Sequence, residues 1–179
     1  MIPKRLSRRT VYESDWVNLY LDQVAYPDGA VLDSHHVLHF DRPSVGVVVE
    51  NQSGDILLLR CGRYVTQNES WEIPAGWVEA MECVLSAAGR EALEETGYAL
   101  TSLSPLYTYH PSNGISDQVF HLFRGLAHKK TGLPDPAEVS ALRWCSRDEI
   151  REMIQKQEIS CGLSLTALLL TLCSTPFEA

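Results

Sequence analysis

Two almost unbroken apolar runs, SVGVVVE at 44–50 and ILLLRC at 56–61, limit the fold more than any other feature of the 179 residues. A strand with one wet face alternates apolar and polar side chains, because successive residues point to opposite faces. A run without alternation must be covered on both faces, so these strands belong at the centre of a layered sandwich. The polar turn NQSG between them, residues 51–54, predicts a hairpin. A chain of this length can bury a substantial core, and its 45% apolar and 21% charged residues are those of an ordinary soluble globular protein.

The remaining segments arrange themselves around that centre. Residues from Thr10 to Phe40 favour strands, with a turn at Pro27, Asp28 and Gly29. The DRPS junction at 41–44 then separates an N-terminal β extension, 1–40, from a main domain, 41–179. SWEIPAGWVEAMEC, 70–83, reads as a loop leading into a helix from about Glu82 to Thr96, and Gly97 suits the left-handed residue that ends a helix. Strands are expected near Ser102–Tyr109, Gln118–Ala127 and Val139–Trp144, separated by the polar loops HPSNGISD and KKTGLPDPAE. Helices near Arg147–Gln155 and Ser164–Cys173 close the chain. Strands and helices in this order give an α+β class.

The predicted helix carries an unusual charge pattern. In REALEETG, Glu91, Glu94 and Glu95 fall at i, i+3, i+4 and share one face. Like charges so placed repel by about 0.2–0.5 kcal/mol per pair. A solvated acidic face is the ordinary explanation. A bound cation is the functional one, and magnesium suits hard oxygen ligands that share the ion with water and substrate phosphates. Calcium would call for an EF-hand-like loop and zinc for His or Cys spacing, and neither pattern is present.

A formal charge of −8 argues against a nucleic-acid binder that works through a general basic surface. A local basic group, Arg5, Arg8 and Arg9, keeps that alternative open. Five dispersed cysteines without a CxxC pair read as reduced core thiols of a cytoplasmic protein. No signal peptide is evident, and the apolar stretch GLSLTALLLTLC is short for a membrane span.

The stretch GWVEAMECVLSAAGREALEETGY, 76–98, resembles the Nudix box, G-x5-E-x7-R-E-U-x-E-E-x-G-U with U a bulky aliphatic residue. Gly76, Glu82, Arg90, Glu91, Glu94, Glu95 and Gly97 stand at the fixed positions. Ala92 is small for the first U, Tyr98 is aromatic at the second, and Met81 stands where many relatives have glycine. The likeness extends over about Tyr12 to Leu170. LLLRCGRY, SWEIPAG and Pro111, about fifteen residues after the box, look like the ADP-ribose and sugar-nucleotide pyrophosphatase branch.

The resemblance implies a Nudix-type α/β/α sandwich with a mixed central sheet and an N-terminal antiparallel extension that often builds a homodimer. It implies magnesium-dependent hydrolysis (manganese being a possible substitute) of ADP-ribose or a related nucleotide sugar to a nucleoside monophosphate and a sugar phosphate. By the same likeness Glu91, Glu95 and the backbone carbonyl of Ala75 would hold metal, with Glu94 near or on a second ion. An acid in LPDPAEV, Glu138 in preference to Asp135, would serve as general base or as an extra ligand. Gly76, Glu82, Arg90 and Gly97 would hold the geometry, Arg90 pairing with Glu82.

Arg63 is a candidate for a substrate phosphate because a guanidinium offers a fork to oxygens. The loop containing Pro111 is a candidate contact for the terminal sugar. Rival readings are another Nudix substrate, such as GDP-mannose or an oxidised nucleotide, and a non-catalytic nucleotide-sugar-binding module. Loss of box glutamates would favour the module, and all of them are present.

Overall fold

A computed structural model describes residues 1–134 and 136–175. Its contacts divide them into two compact units, Met1–Pro43 with His110–Val119, and Ser44–Tyr109 with the rest of the chain from Phe120.

In the first unit, β1 (Lys4–Tyr12), β2 (Asn18–Ala25) and β3 (Val31–His39) form an antiparallel sheet in chain order. The strands begin six residues earlier than the sequence suggests. Every residue of β1 is exposed, so KRLSRRT lacks the alternation by which a half-buried strand is recognised. The turn before β3 falls at the expected triplet, with Gly29 at φ +91°. Arg8 grips the buried Asp22 through two hydrogen bonds of 2.7 and 2.8 Å. Its guanidinium also lies 4.2 Å from the centre of the Tyr20 ring.

Loop 110–119 is clasped to the end of β3. The N–H of Leu38 donates to the Ile115 carbonyl, and that of Phe40 to Asp117 Oδ1 at 3.0 Å. His39 lies between Asp117, 2.5 Å from Nδ1, and Asp41, 3.0 Å from Nε2.

The second unit contains β4 (Ser44–Glu50), β5 (Ile56–Arg63), β6 (Asn68–Glu72), β7 (Ala75–Trp77), α1 (Val84–Thr96), β8 (Tyr98–Tyr109), β9 (Phe120–Lys130), β10 (Val139–Cys145), α2 (Arg147–Gln155) and α3 (Gly162–Leu172). The main sheet runs β10-β5-β4-β9-β8, with β6 on β5 and β7 on β4. It is mixed, since β4 and β9 are parallel while its other strand pairs are antiparallel.

The apolar runs are accounted for residue by residue. Val45, Val47, Val49 and Leu57 pack with Ala87, Ala88 and Ala92 of α1. Val48, Ile56 and Leu58 pack on the other face with Ile150 and Met153 of α2 and Leu163, Ala167 and Leu168 of α3. Two faces, each covered by helix, make the α/β/α sandwich. Gly46 lets α3 approach, because a Cβ there would strike the Leu163 side chain.

The hairpin expected between β4 and β5 is minimal. The two strands pair only at Glu50 and Ile56, and β4 instead runs its full length beside β9 and its first residues beside β7. The expected loop at 70–83 likewise contains β6 and β7, two short strands interrupted at Pro74, a residue that cannot donate to a ladder. Of the five cysteines, Cys61 and Cys145 are buried as expected of core thiols, whereas Cys83 and Cys173 are exposed. No helix among the described residues is long and apolar enough to cross a membrane.

Glu50, at the end of β4, is wholly buried and paired with two arginines, Arg124 at 2.5 Å and Arg147 at 3.3 Å. Both arginines also bond the end of α3 or the chain just after it. Arg124 reaches Ser174 Oγ and the Thr175 carbonyl, and Arg147 the carbonyls of Thr171 and Ser174. The central strand is thereby tied to the last described residues.

Candidate active site

α1 supplies the acidic face. Its alanines turn toward the sheet, and 3.6 residues per turn then place Glu91 and Glu95 at the edge of the packed surface, with Glu94 further out. The helix stops at Gly97, whose φ of +75° is left-handed and whose N–H bonds the Leu93 carbonyl. A Cβ at Gly97 would also run into the Gly132 carbonyl.

β7 meets this face. The N–H of Ala75 donates to Glu95 Oε2 at 2.8 Å. Gly76 follows, and a Cβ there would fall on the carboxylate of Glu91. The absent side chain is therefore the space that Glu91 occupies.

Arg90 links the loop to the helix. Its Nε and Nη2 hold Glu82 at 3.0 and 2.9 Å, its Nη1 reaches Glu91 at 2.8 Å and Glu94 at 3.1 Å, and Nη2 also donates to the Trp77 carbonyl at 3.0 Å. This one guanidinium offsets three carboxylates, and it lowers the Glu82 carboxyl below its ordinary range with help from the Glu79 N–H. Between them Met81 sits at φ +66° with its side chain fully exposed. A left-handed φ at that position is why glycine suits it.

Glu91, Glu94, Glu95 and Glu138 line one pocket of about 480 Å³, together with Leu133, Pro134, Pro136 and Val139. Burial pushes the Glu95 carboxyl up to about 7; the Ala75 N–H opposes this, and the like charges of Glu91 and Glu138 add to it. Glu91 is also raised, again mainly by burial, with Arg90 opposing. Glu138, just before β10, is exposed on the pocket wall, whereas Asp135 lies outside the described residues.

Arg63, at the end of β5, is bonded to Glu72 by Nε at 3.1 Å and Nη2 at 2.5 Å. Glu72 is 1% exposed. In the sequence its signal is slight, a lone acid inside the mostly apolar SWEIPAG. Pro111 lies in loop 110–119 of the first unit.

The donor set fits a hard divalent ion. Glu95 is a half-buried carboxylate whose near neighbours Glu91 and Glu138 share its sign, and a cation in the pocket would relieve that repulsion. Among the described residues no three His, Cys, Asp or Glu side chains form a ready-made cage.

Comparison with known proteins shows the family of the chain. Residues 41–161 match the NUDIX domain model, and residues 3–38 match the model of the nucleoside diphosphate sugar hydrolase N-terminal domain. The chain is 30% identical over 162 residues to a CMP-5'-(N-acetyl-N-hydroxy-3-aminopropyl)phosphonate hydrolase of Streptomyces rubellomurinus, covering 89% of this chain and 78% of that protein. It is 28% identical over 136 residues to an ADP-ribose pyrophosphatase of Bacillus subtilis, covering 76% and 71%. A crystal structure of an ADP compounds hydrolase superposes with a TM-score of 0.83 over 95% of this chain and 92% of that one, at 17% identity, a likeness of fold. The chain belongs to the Nudix hydrolase family.

Proposed function

We propose that the chain hydrolyses the pyrophosphate bond of ADP-ribose or a related nucleotide sugar, with magnesium or manganese bound at α1. The observation that carries this reading is the acidic pocket itself, where Glu95, fixed by the Ala75 N–H, stands with Glu91 and Glu138 around a space of about 480 Å³. An anionic phosphate enters such a pocket only with cations. The names of the relatives supply the substrate class.

In this reading Glu91, Glu95 and the Ala75 carbonyl hold the metal, and Glu94 serves a second ion. When bound, divalent ions offset the phosphate oxygens' charge, favour ionisation of the attacking water and stabilise the departing phosphate. Glu138 accepts the proton of the attacking water as a new P–O bond forms. The bridging P–O bond breaks, and a nucleoside monophosphate and a sugar phosphate leave. Arg63 receives a substrate phosphate, and the loop of Pro111 contacts the terminal sugar. Arg90, Glu82, Gly76 and Gly97 keep α1 and β7 in register. The N-terminal unit serves a homodimer.

A second reading concerns the group beyond the phosphate. The Streptomyces relative is named for a CMP joined to a phosphonate, so a cytidine nucleotide with a phosphonate partner is the alternative substrate. Incubation with magnesium and ADP-ribose, GDP-mannose, CMP-activated compounds and 8-oxo-dGTP, read by chromatography, tests both. AMP from ADP-ribose, lost on chelation and in Glu95→Gln, is the expected result. CMP release alone keeps the reaction and changes the substrate. Folded, metal-loaded protein that cleaves none of these compounds overturns this substrate reading and favours the nucleotide-sugar-binding module.

A further inference from the structure

Along β5 the side chains alternate between faces. Leu57 faces α1, and Leu59 and Cys61 continue the same row beside Val139 of the pocket wall. Arg63 is the next residue in that row, so it lies on the face of the sheet that carries Glu91 and Glu95. In register Arg63 stands opposite Asn68, yet its guanidinium is bonded to Glu72, which stands opposite Leu59. Four residues of strand span about 13 Å, so the two side chains lean toward each other over the Cys61 position. Their charges are felt there, since the Cys61 thiol is influenced by Glu72, Arg63, Glu95 and Glu138 together.

The pair is asymmetric. The Glu72 side chain is 2% exposed and that of Arg63 51%. Glu72 takes Nε and Nη2, and among the described residues nothing bonds Nη1. Stability does not account for a buried acid here, because apolar residues in place of such a pair are often neutral or stabilising. A grip on two of the three guanidinium nitrogens does fix where the third points.

We infer that Glu72 is a positioning residue for the reaction, holding Arg63 by two nitrogens so that its free Nη1 edge receives a phosphate oxygen of the substrate, across from the Glu91–Glu95 cluster. This rests on the pyrophosphatase reading, and it differs from that reading in assigning the placement of Arg63 to a buried carboxylate that touches neither substrate nor metal.

The test compares wild type, Glu72→Gln, Arg63→Lys and the double variant Arg63→Met/Glu72→Met. The double variant removes both charges together, leaving no unpaired buried group, and its melting temperature is expected within a few degrees of wild type. Each of the three variants is expected to raise KM at least tenfold, with kcat changed less than threefold. Arg63→Lys fails although its charge is kept, because an ammonium cannot be gripped through two nitrogens of a plane.

Calorimetric titration of inorganic pyrophosphate with magnesium gives a second readout, independent of turnover, and the same tenfold weakening is expected. A folded double variant with wild-type KM and wild-type pyrophosphate affinity overturns the inference, and so does failure of the wild type to bind pyrophosphate. Absence of cleavage by wild type, with pyrophosphate binding that still depends on Glu72, overturns the substrate reading alone.

Discussion

Gly76→Ala is the most revealing single substitution in this chain. The φ of Gly76 is not left-handed, so alanine meets no backbone objection there. Reduced freedom of the unfolded chain would by itself stabilise the protein by about 0.4–1 kcal/mol. Against this, the new Cβ lands on the Glu91 carboxylate, which must leave. Glu91 then gives up its 2.8 Å bond from Arg90 Nη1, a charge-assisted contact with both side chains mostly buried. Hydrogen bonds to charged groups contribute about 1.5–3 kcal/mol.

The balance is a net loss of about 1–2 kcal/mol, from those same ranges. Turnover should fall at least a hundredfold, because a carboxylate of the proposed metal site has moved. Gly89→Ala is the control. It lies in α1 with its nearest obstacle, a Leu103 methyl, at 3.9 Å, and should gain about 1 kcal/mol from helix propensity. Urea unfolding and steady-state turnover measure both variants. Gly76→Ala with wild-type stability and turnover would refute the claim that this glycine exists to make room for Glu91.

Three further outcomes follow from particular contacts. His39 has its pKa raised above the ordinary value, chiefly by the Asp117 hydrogen bond, so the clasp on loop 110–119 is at full strength below about pH 6.5 and weakens as pH rises through the higher folded value; Asp117→Asn should flatten the fall in melting temperature between pH 6 and 8.5, and an unchanged slope would assign it elsewhere. Met81→Gly relieves a left-handed methionine worth about 1–2 kcal/mol, less the added freedom of the unfolded chain, for a net gain of about 0.5–1 kcal/mol in urea. Arg124→Met removes an arginine paired with the buried Glu50 and should cost about 3–5 kcal/mol in the same assay, while the more exposed Arg143→Met should cost under 1 kcal/mol.

What could be read in advance followed from local physics. The β4 and β5 runs announce burial on both faces because each residue carries its own solvent preference, and the box helix announces both its acidic face and its stop at Gly97. The parallel pairing of β4 with β9 could not be read, since Ser44 and Phe120 become neighbours only through the fold. The start of β1 is not legible because an exposed strand leaves no apolar period. β6 and β7 were hidden by their shortness and by Pro74. At the site, the box spacing marks Glu82, Arg90 and the glutamates; Gly76 is expected from sequence as room for the backbone to approach an ion, whereas the structure fills that space with the Glu91 carboxylate. Glu72 escaped because a buried carboxylate looks like any other until its partner is located.

The pairing of β4 with β9 also orders events in time. The entire box, from Gly76 to Gly97, lies in the stretch of chain that must be looped out before Ser44 can meet Phe120. Closing a loop of that length is costly before any contact repays it, and topologies built on such closures fold slowly. A nascent chain that has just emerged past Tyr98 has every box residue and no platform on which to display them. Catalytic competence is therefore a late event in the life of each molecule, dependent on a strand that supplies none of the box's side chains, and a polypeptide that ends before Phe120 should be inert however faithfully it keeps the motif.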